Sequence, residues 1–253
     1  MDRNISFFNY SDLFLKHEKE LLDIFQSVGE KGAFIMQQEL SDFESNIADY
    51  TGAKFVLGVA NATDAIQLLL KAGGVGPGDE VIFCSHTMVA TASAIAFTGA
   101  TPVPVEVGSN HLIDPESIKG AITSKTKAII PTQLNGRIAN MDEILDIANE
   151  YNLQIYEDSA QALGAKYKGQ SAGTFGLGGC ISFYPAKTLG CFGDGGAILT
   201  NDDEMYRKMS LLRDHGRNED GDVVEWGLNS RLDNLQAAVL NLKLKEYSEA
   251  INQ

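Results

Sequence analysis

The chain has 253 residues, of which 44% are hydrophobic and 21% are charged, values typical of a globular protein with a full core. Its 34 acidic and 20 basic residues give a formal net charge of -14. Because a field of that sign repels nucleic acids and anionic membranes, we exclude nucleic-acid binding, and any bound phosphate must be held by local donors.

The N-terminal segment and the cysteines predict a cytoplasmic protein. The opening residues, MDRNISFFNYSD, lack the basic segment and apolar run of a secretory signal. The uncharged stretch 85–105 is rich in small and hydroxylated residues and contains two prolines, so it is too polar to span a bilayer. Cys84, Cys180 and Cys191 form no CxxC pair, and we expect reduced thiols. We expect no metal site, since His86 near Cys84 gives only two candidate ligands.

Strands and helices are predicted to alternate after an N-terminal helical region at roughly residues 13–50. The predicted strands are 54–59, 101–105, 128–131 and 154–157, the segment PGDEVIFC (77–84) is predicted as a turn and a strand, and the predicted helices are 62–72, 87–98, 115–121 and 141–151. Short apolar strands separated by such helices indicate an α/β fold, with a mostly parallel sheet covered by helices on both faces. Ligands bind at the carboxyl ends of strands in such sheets.

The pattern changes in the second half of the chain. Residues 164–196 contain ten of the 25 glycines, among short predicted strands at 180–183 and 197–200. Glycine at this density lets the backbone approach another backbone or a ligand closely. A helix is predicted at 202–213, and an amphipathic helix begins at about 232.

The first strand end offers a candidate phosphate site. The segment VLGVANATDAIQLLL runs from strand through a tight loop into a helix, which leaves the amides of Ala62 and Thr63 free at the helix N-terminus. The alternative is that Asn61 or Thr63 is simply a helix cap. The loop has neither a P-loop lysine nor a GxGxxG pattern, so nucleotide hydrolysis and dinucleotide binding are disfavoured.

Two further residues complete a candidate site. Asp158 follows a buried strand, where a carboxylate is either a cap or a functional charge that needs a cation. Lys187 is the only charged residue between Lys168 and Asp194, in an apolar, glycine-rich segment. A buried lysine with a lowered pKa is the amine that binds an aldehyde covalently. A helix N-terminus for phosphate, a lysine for the aldehyde and an acid for the ring nitrogen are together the requirements of pyridoxal 5'-phosphate.

Several motifs, in this order, resemble the DegT/DnrJ/StrS nucleotide-sugar aminotransferases of the fold-type I aspartate aminotransferase superfamily. The motifs include GVANATDAIQLLLKAGGVGPGDEVI, YEDSAQALGAKYKGQSAGTFG, SFYPAKTLGCFGDGGAILTND and GLNSRLDNLQAAVL. The resemblance implies that Lys187 binds the cofactor and moves the proton, while Asp158 holds the ring nitrogen. It also implies that Gln161 lies against the ring, and that Ala62, Thr63 and Ser182 hold the phosphate. It places Asn229 on the phosphate of a neighbouring subunit, which makes a homodimer the active unit.

The sequence departs from the family pattern at several positions. Met88 stands where the family usually has an aromatic ring over the cofactor, and a thioether covers a ring with less defined stacking. The segment TQLNGR replaces a motif with His and Tyr, so Gln133 and Asn135 are candidates for altered sugar contacts. Residues 1–253 are interpreted as the large cofactor-binding domain with an N-terminal helical extension. The small C-terminal domain of the family is expected to be missing, or only begun at about residue 232.

The resemblance implies an aminotransferase that moves an amino group from L-glutamate to a keto carbon of a nucleotide-linked sugar, in a ping-pong cycle serving polysaccharide or lipopolysaccharide biosynthesis. One alternative is a non-catalytic, cofactor-bound sensor or partner subunit. Another is a sugar dehydratase of the same family, which Lys187 disfavours because those enzymes carry histidine there.

Overall fold

A seven-stranded sheet organises the chain in the computed structural model, which describes residues 8–251. Its first five strands are β1 (Phe55–Val59), β2 (Glu80–Cys84), β3 (Thr101–Val105), β4 (Thr126–Ile130) and β5 (Gln154–Asp158). A separate hairpin of β6 (Lys166–Tyr167) and β7 (Gln170–Ser171) precedes β8 (Gly178–Ser182) and β9 (Gly196–Thr200). The order is β1-β9-β8-β5-β4-β2-β3, with β9 antiparallel to both neighbours and the other pairs parallel. The prediction of a mostly parallel sheet is confirmed.

Nine α-helices surround the sheet within residues 8–251. They are α1 (Tyr10–Leu15), α2 (Glu18–Lys31), α3 (Gln38–Thr51), α4 (Ala62–Ala72), α5 (Val89–Phe97), α6 (Pro115–Ala121), α7 (Met141–Tyr151), α8 (Asp203–Leu212) and α9 (Asn234–Ala250). A 3-10 turn spans Leu134–Gly136. Local signals set several ends: the Asp114 side chain caps α6 beside a proline at its first position, and Gly52 in the left-handed region ends α3. The predicted N-terminal helical region is thus three separate helices.

The side chains of each central strand point alternately to the two faces of the sheet, so each strand contributes to the cores on both sides. In β9, Ile198 packs with the core under α4, α5 and α8, while Ala197 and Leu199 pack with the core under α3 and α9. In β2, Val81 and Phe83 face the first of these cores, while Ile82 and Cys84 face a third core under α6 and α7. Because the side chains of a strand alternate, apolar runs of five residues bury both faces of the sheet.

The last helix belongs to the packing of this sheet. Ala237, Leu240 and Tyr247 of α9 join the same buried cluster as Phe43 and Ile47 of α3. The expectation that the small C-terminal domain of the family is missing here, or only begun at about residue 232, stays a prediction. Within the described part of the chain, no helix combines the length and apolar character needed to cross a bilayer.

The buried side chain of Glu157, near the carboxyl end of β5, holds the segments around residues 133, 139 and 175 together by hydrogen bonds. Glu157, 1% exposed, accepts hydrogen bonds from the Phe175 amide at 2.7 Å and from the Gln133 side-chain amide at 2.7 Å. The Gln133 side-chain oxygen accepts in turn from the Ala139 amide at 2.8 Å. Burial raises the pKa of Glu157 to about 7, while the accepted hydrogen bonds oppose the rise.

Because burial raises the pKa of Glu157, the free energy of unfolding is expected to fall as the pH rises. Because its folded pKa of about 7 lies above the ordinary value of 4.5, its contribution is fully present below pH 4.5 and is lost as the pH rises through 7. We predict a loss of up to ~3 kcal/mol in the free energy of unfolding over that interval, absent from Glu157→Gln. Urea unfolding at pH 5 and pH 8 measures it. The exposed Glu219→Gln is the control, and equal pH dependence in Glu157→Gln and wild type contradicts the prediction.

Candidate functional site

The carboxyl ends of three strands meet at one edge of the sheet. Gly196, the first residue of β9, pairs with Val59 at the end of β1 and with Ser182 at the end of β8. Asp158, the last residue of β5, pairs with Cys180 of β8. The three strand ends singled out from the sequence are therefore brought together along β1, β9, β8 and β5.

The N-terminus of α4 lies against this edge with its amides available. The side chain of Asn61 caps the helix by accepting from the Asp64 amide at 2.9 Å. Ala62 and Thr63 open the helix, so their amides have no carbonyl one turn back to bond. A Cβ on Gly196 would stand 2.6 Å from the Asn61 carbonyl carbon and 2.8 Å from the Ala62 nitrogen, so only glycine permits this approach. Cap and free amides coexist, which makes the two readings of this loop compatible.

Two serines border the same loop. The Ser182 hydroxyl accepts from the Tyr184 amide at 3.3 Å and stays partly exposed. The buried Ser230 hydroxyl accepts from the Ala60 amide at 3.1 Å, which holds the segment around residue 230 against the β1–α4 connection. Asn229, the preceding residue, is exposed. The described chain thus places Asn229 on the surface, beside its own helix N-terminus.

The Asp158 carboxylate is buried and surrounded by donors. Its Oδ2 accepts from the Thr91 hydroxyl at 2.6 Å and lies 3.4 Å from the Thr87 hydroxyl oxygen. Its Oδ1 accepts from the Ala160 amide at 3.2 Å and lies 3.6 Å from the Cys180 thiol. Burial, and then the charge of Asp158, raise the pKa of Cys180 well above its ordinary value, so the thiol stays a donor. A carboxylate that only accepts is suited to hold a cation.

A chain of three hydroxyls ends on this carboxylate, and the sequence reasoning missed it. Thr132 Oγ1 donates to Thr87 Oγ1 at 3.1 Å, and Thr87 Oγ1 lies 2.9 Å from Thr91 Oγ1. Because the single hydroxyl proton of Thr91 goes to Asp158, Thr87 must donate to Thr91. The sequence shows that Thr87 and Thr91 are four residues apart and could face the same side of a helix. It does not show that Asp158, far along the chain, is the carboxylate beside them.

Lys187 lies in the loop after β8, where its backbone amide closes a turn onto Tyr184. Its side chain is half-buried and forms no ion pair or side-chain hydrogen bond with any of residues 8–251. Burial lowers the pKa of its amine, and the nearby Asp158 and Cys180 oppose that effect. Such an amine carries the free base at neutral pH more readily than a solvated lysine does.

Lys187 opens onto a cavity of about 840 Å³ that Gln161 and Asn135 also line. The Gln161 side-chain oxygen accepts from the Asn135 amide at 3.1 Å, and its carbonyl accepts from the Gly136 amide at 3.0 Å. No carboxylate is among the described residues that line the cavity. A volume of this size suits a ligand larger than the cofactor alone.

Met88 lies beside the acid rather than in the core. It directly follows Thr87, and its sulfur accepts from the Ala90 amide at 3.0 Å, which makes it the cap of α5. The side chain is 64% exposed. Its role as a helix cap therefore holds the Met88 thioether at this edge. That Met88 covers the ring of the cofactor stays a prediction.

The two candidates for altered sugar contacts separate in the structure. Gln133 is buried with 0% exposure and is bound to Glu157 and Ala139, so its side chain is committed to the interior and not to a sugar. Asn135 is exposed on the cavity, in the left-handed region with φ 54°. The expectation fails for Gln133 because a buried carboxylate needs its amide as a donor.

The family model described as the DegT/DnrJ/EryC1/StrS aminotransferase family matches residues 16–253. Among curated relatives, the UDP-2-acetamido-2-deoxy-3-oxo-D-glucuronate aminotransferase of Pseudomonas aeruginosa is 45% identical over 227 residues. That alignment covers 89% of this chain and 63% of the relative. The chain therefore spans less than two thirds of that relative's length.

Solved structures show the same architecture. DesV of S. venezuelae, in complex with a ketimine intermediate, superposes with a TM-score of 0.94 at 39% identity, covering 98% of this chain and 67% of DesV. The ntda protein of Bacillus subtilis, solved with bound cofactor PMP, gives a TM-score of 0.90 at 33% identity, covering 98% of this chain and 58% of that protein. These likenesses confirm the predicted fold-type I architecture. With the family model matching nearly the whole chain, the chain belongs to the DegT/DnrJ/EryC1/StrS aminotransferase family.

Proposed function

We propose that this chain forms the cofactor-binding part of a pyridoxal-phosphate-dependent aminotransferase. Its reaction moves an amino group from L-glutamate to a keto carbon of a nucleotide-linked sugar, in two half-reactions that share one cofactor. One observation carries the proposal: a half-buried lysine, with no side-chain partner among residues 8–251, lies near a buried carboxylate that only accepts hydrogen bonds, on a sheet edge beside a helix N-terminus. Relatives named as sugar aminotransferases support the substrate class.

The polar groups at this edge match the phosphate, the ring nitrogen and the aldehyde of the cofactor. The amides of Ala62 and Thr63, with the Ser182 hydroxyl, suit the phosphate, because an overall acidic chain needs local donors for an anion. The Asp158 carboxylate suits a protonated ring nitrogen, and the Lys187 amine suits the aldehyde. Gln161 and Met88 flank this position from the cavity and from the start of α5.

The residues then have distinct tasks. When bound, pyridoxal phosphate supplies an electron sink for the negative charge that develops at the amino-bearing carbon. Asp158 keeps the ring nitrogen protonated and so maintains that sink. Lys187, whose pKa burial lowers, would hold the aldehyde of the cofactor and, once the substrate amine has taken its place, would move the proton at the reacting carbon as a free amine. We place this reaction in the cytoplasm, in the supply of amino sugars for polysaccharide or lipopolysaccharide biosynthesis.

We predict that Lys187 alone forms the covalent link to pyridoxal phosphate. Borohydride reduces a carbon–nitrogen double bond to a stable amine, so peptide mapping after reduction locates the lysine. The matched control is Lys243, whose pKa burial also lowers but whose amine donates to the Gly190 carbonyl at 2.5 Å. Lys243→Arg should be labelled at Lys187 like the wild type, whereas Lys187→Arg should not be labelled, since guanidinium stays protonated. A label on Lys243, Lys166 or Lys168 contradicts the assignment.

We predict that the full-length protein transfers nitrogen from ¹⁵N-labelled L-glutamate to at least one nucleotide-linked keto-sugar. Mass spectrometry of a panel of such sugars identifies the aminated product, and Lys187→Ala should yield none. A protein that is labelled at Lys187 but aminates no sugar in the panel fits the non-catalytic sensor instead. Loss of a hydroxyl from the sugar without gain of nitrogen indicates the dehydratase.

We predict that the active unit is a dimer in which Asn229 serves the partner's site. Its neighbour Ser230 binds Ala60 of its own chain, so the opposite assignment is a concrete alternative. Lys187→Ala and Asn229→Ala chains, refolded together, should place both lost groups in one site of each hybrid dimer and leave the other site intact. Random pairing makes about half of the dimers hybrid, so roughly a quarter of the sites should recover. If hybrids form without recovery, Asn229 acts within its own chain.

A further inference from the structure

The hydroxyl of Thr91 donates to a buried carboxylate that lies outside its own helix. A threonine in the first turn of a helix has no carbonyl of that helix four residues back, so its hydroxyl must find another partner. Thr91 lies in the first turn of α5 with 0% exposure, and its hydroxyl instead leaves the helix to donate to Asp158 Oδ2 at 2.6 Å. This is the shortest hydrogen bond that the structure gives the Asp158 side chain.

The surrounding hydroxyls leave Thr91 a single role as donor. Thr87 and Thr132 direct their protons toward Thr91 and Thr87 respectively. Hydrogen bonds in such a chain polarise one another, which strengthens the last one, from Thr91 to the carboxylate. On the other side of the carboxyl group, the Ala160 amide and the Cys180 thiol hold Oδ1. The carboxylate is thus oriented from both of its oxygens.

We propose that Thr91 is a positioning residue that keeps Asp158 charged and aimed at the ring nitrogen of the cofactor. This inference rests on the proposed function. A proton shared between the ring nitrogen and the carboxylate stays on nitrogen only if the negative charge on oxygen is stabilised, and Thr91 supplies that stabilisation. Without it, the proton moves to the carboxylate, the ring becomes neutral, and the electron sink weakens.

The test follows the cofactor's visible absorption band during a pH titration, a readout independent of turnover. A positive ring nitrogen makes the nitrogen that links cofactor and Lys187 easier to deprotonate, so a neutral ring raises the midpoint of the titration. Thr91→Val keeps the shape of the side chain but removes the donor. We expect its midpoint to rise by about half a pH unit or more, since only part of the effect of a hydrogen bond to a charged group is transmitted through the ring.

Three further variants make the result decisive. Asp158→Asn should shift the midpoint in the same direction by a larger amount. Thr91→Ser, which restores the hydroxyl, should return it close to the wild-type value. Thr51→Val removes another buried hydroxyl, bonded at 2.7 Å to the Ile47 carbonyl of α3, and should cost stability without moving the midpoint. If Thr91→Val does not fold, Thr91→Ala replaces it against the same Thr91→Ser reference.

The outcomes separate this inference from the proposed function. A wild-type midpoint in Thr91→Val, alongside a shifted midpoint in Asp158→Asn, shows that Thr91 is only structural and overturns the proposal. A midpoint shifted equally by Thr51→Val and Thr91→Val overturns it too. If the wild type forms no visible band and no label at Lys187, the proposed function itself fails. A shift in Thr91→Val that Thr91→Ser reverses supports the proposal.

Discussion

A negative charge buried at the end of β5 is the constraint around which this site is arranged. A carboxylate taken out of water is tolerated only when hydrogen bonds or a cation replace its hydration. Asp158 is 5% exposed, and the chain supplies donors from α5, from the β5–β6 connection and from β8. These donors come from separate elements, so the sheet must be assembled before the charge is stable. The Asp158 carboxylate is thus already oriented, and it can still accept a hydrogen bond from a cationic group of a ligand.

Glu157 and Asp158 are consecutive buried acids whose side chains have different surroundings. Alternation along β5 sends their side chains to different faces of the sheet, so neighbours in sequence meet different surroundings. Glu157 meets the Phe175 amide and the Gln133 side chain and becomes a fastener between loops. Asp158 meets hydroxyls and the candidate site. The face of the strand therefore decides the surroundings of each acid: Glu157 bonds to neighbouring loops, and Asp158 lies at the candidate site.

Much of the fold was legible in the sequence because its signals are local. The helices α4, α6 and α7 have the predicted bounds, and α4 and α6 begin beside the caps Asn61 and Asp114. Lys187 and Asp158 stood out for the same reason, since one lies in an uncharged segment and the other follows an apolar strand. Their roles on a cofactor remain predictions. The antiparallel direction of β9 was not predicted, because no feature of a short apolar strand encodes its direction.

What the sequence did not reveal depends on partners far along the chain. Thr91 bonds to a carboxylate 67 residues away, and Gln133 bonds to one 24 residues away. A threonine early in a helix and a glutamine after a strand are each ordinary in isolation. Only the packing of α5 and of the 131–139 segment against β5 brings each of them to its acceptor, Asp158 for Thr91 and Glu157 for Gln133. Substituted motif positions such as Gln133 are therefore poor guides to ligand contacts until their burial is known.

The position of β9 between β1 and β8 has a consequence for how the molecule is made. In the described sheet, β1 has β9 as its only neighbour, so the first strand to leave the ribosome is paired last. Until residue 200 has emerged, the apolar segment FVLGV has no strand partner, and the amides of Ala62 and Thr63 have no fixed relation to Asp158. Long-range pairing of this kind slows folding and leaves an apolar segment open to aggregation during synthesis. The candidate site therefore assembles only after β9 has been made, and until then the β1 segment is an exposed apolar stretch of the nascent chain.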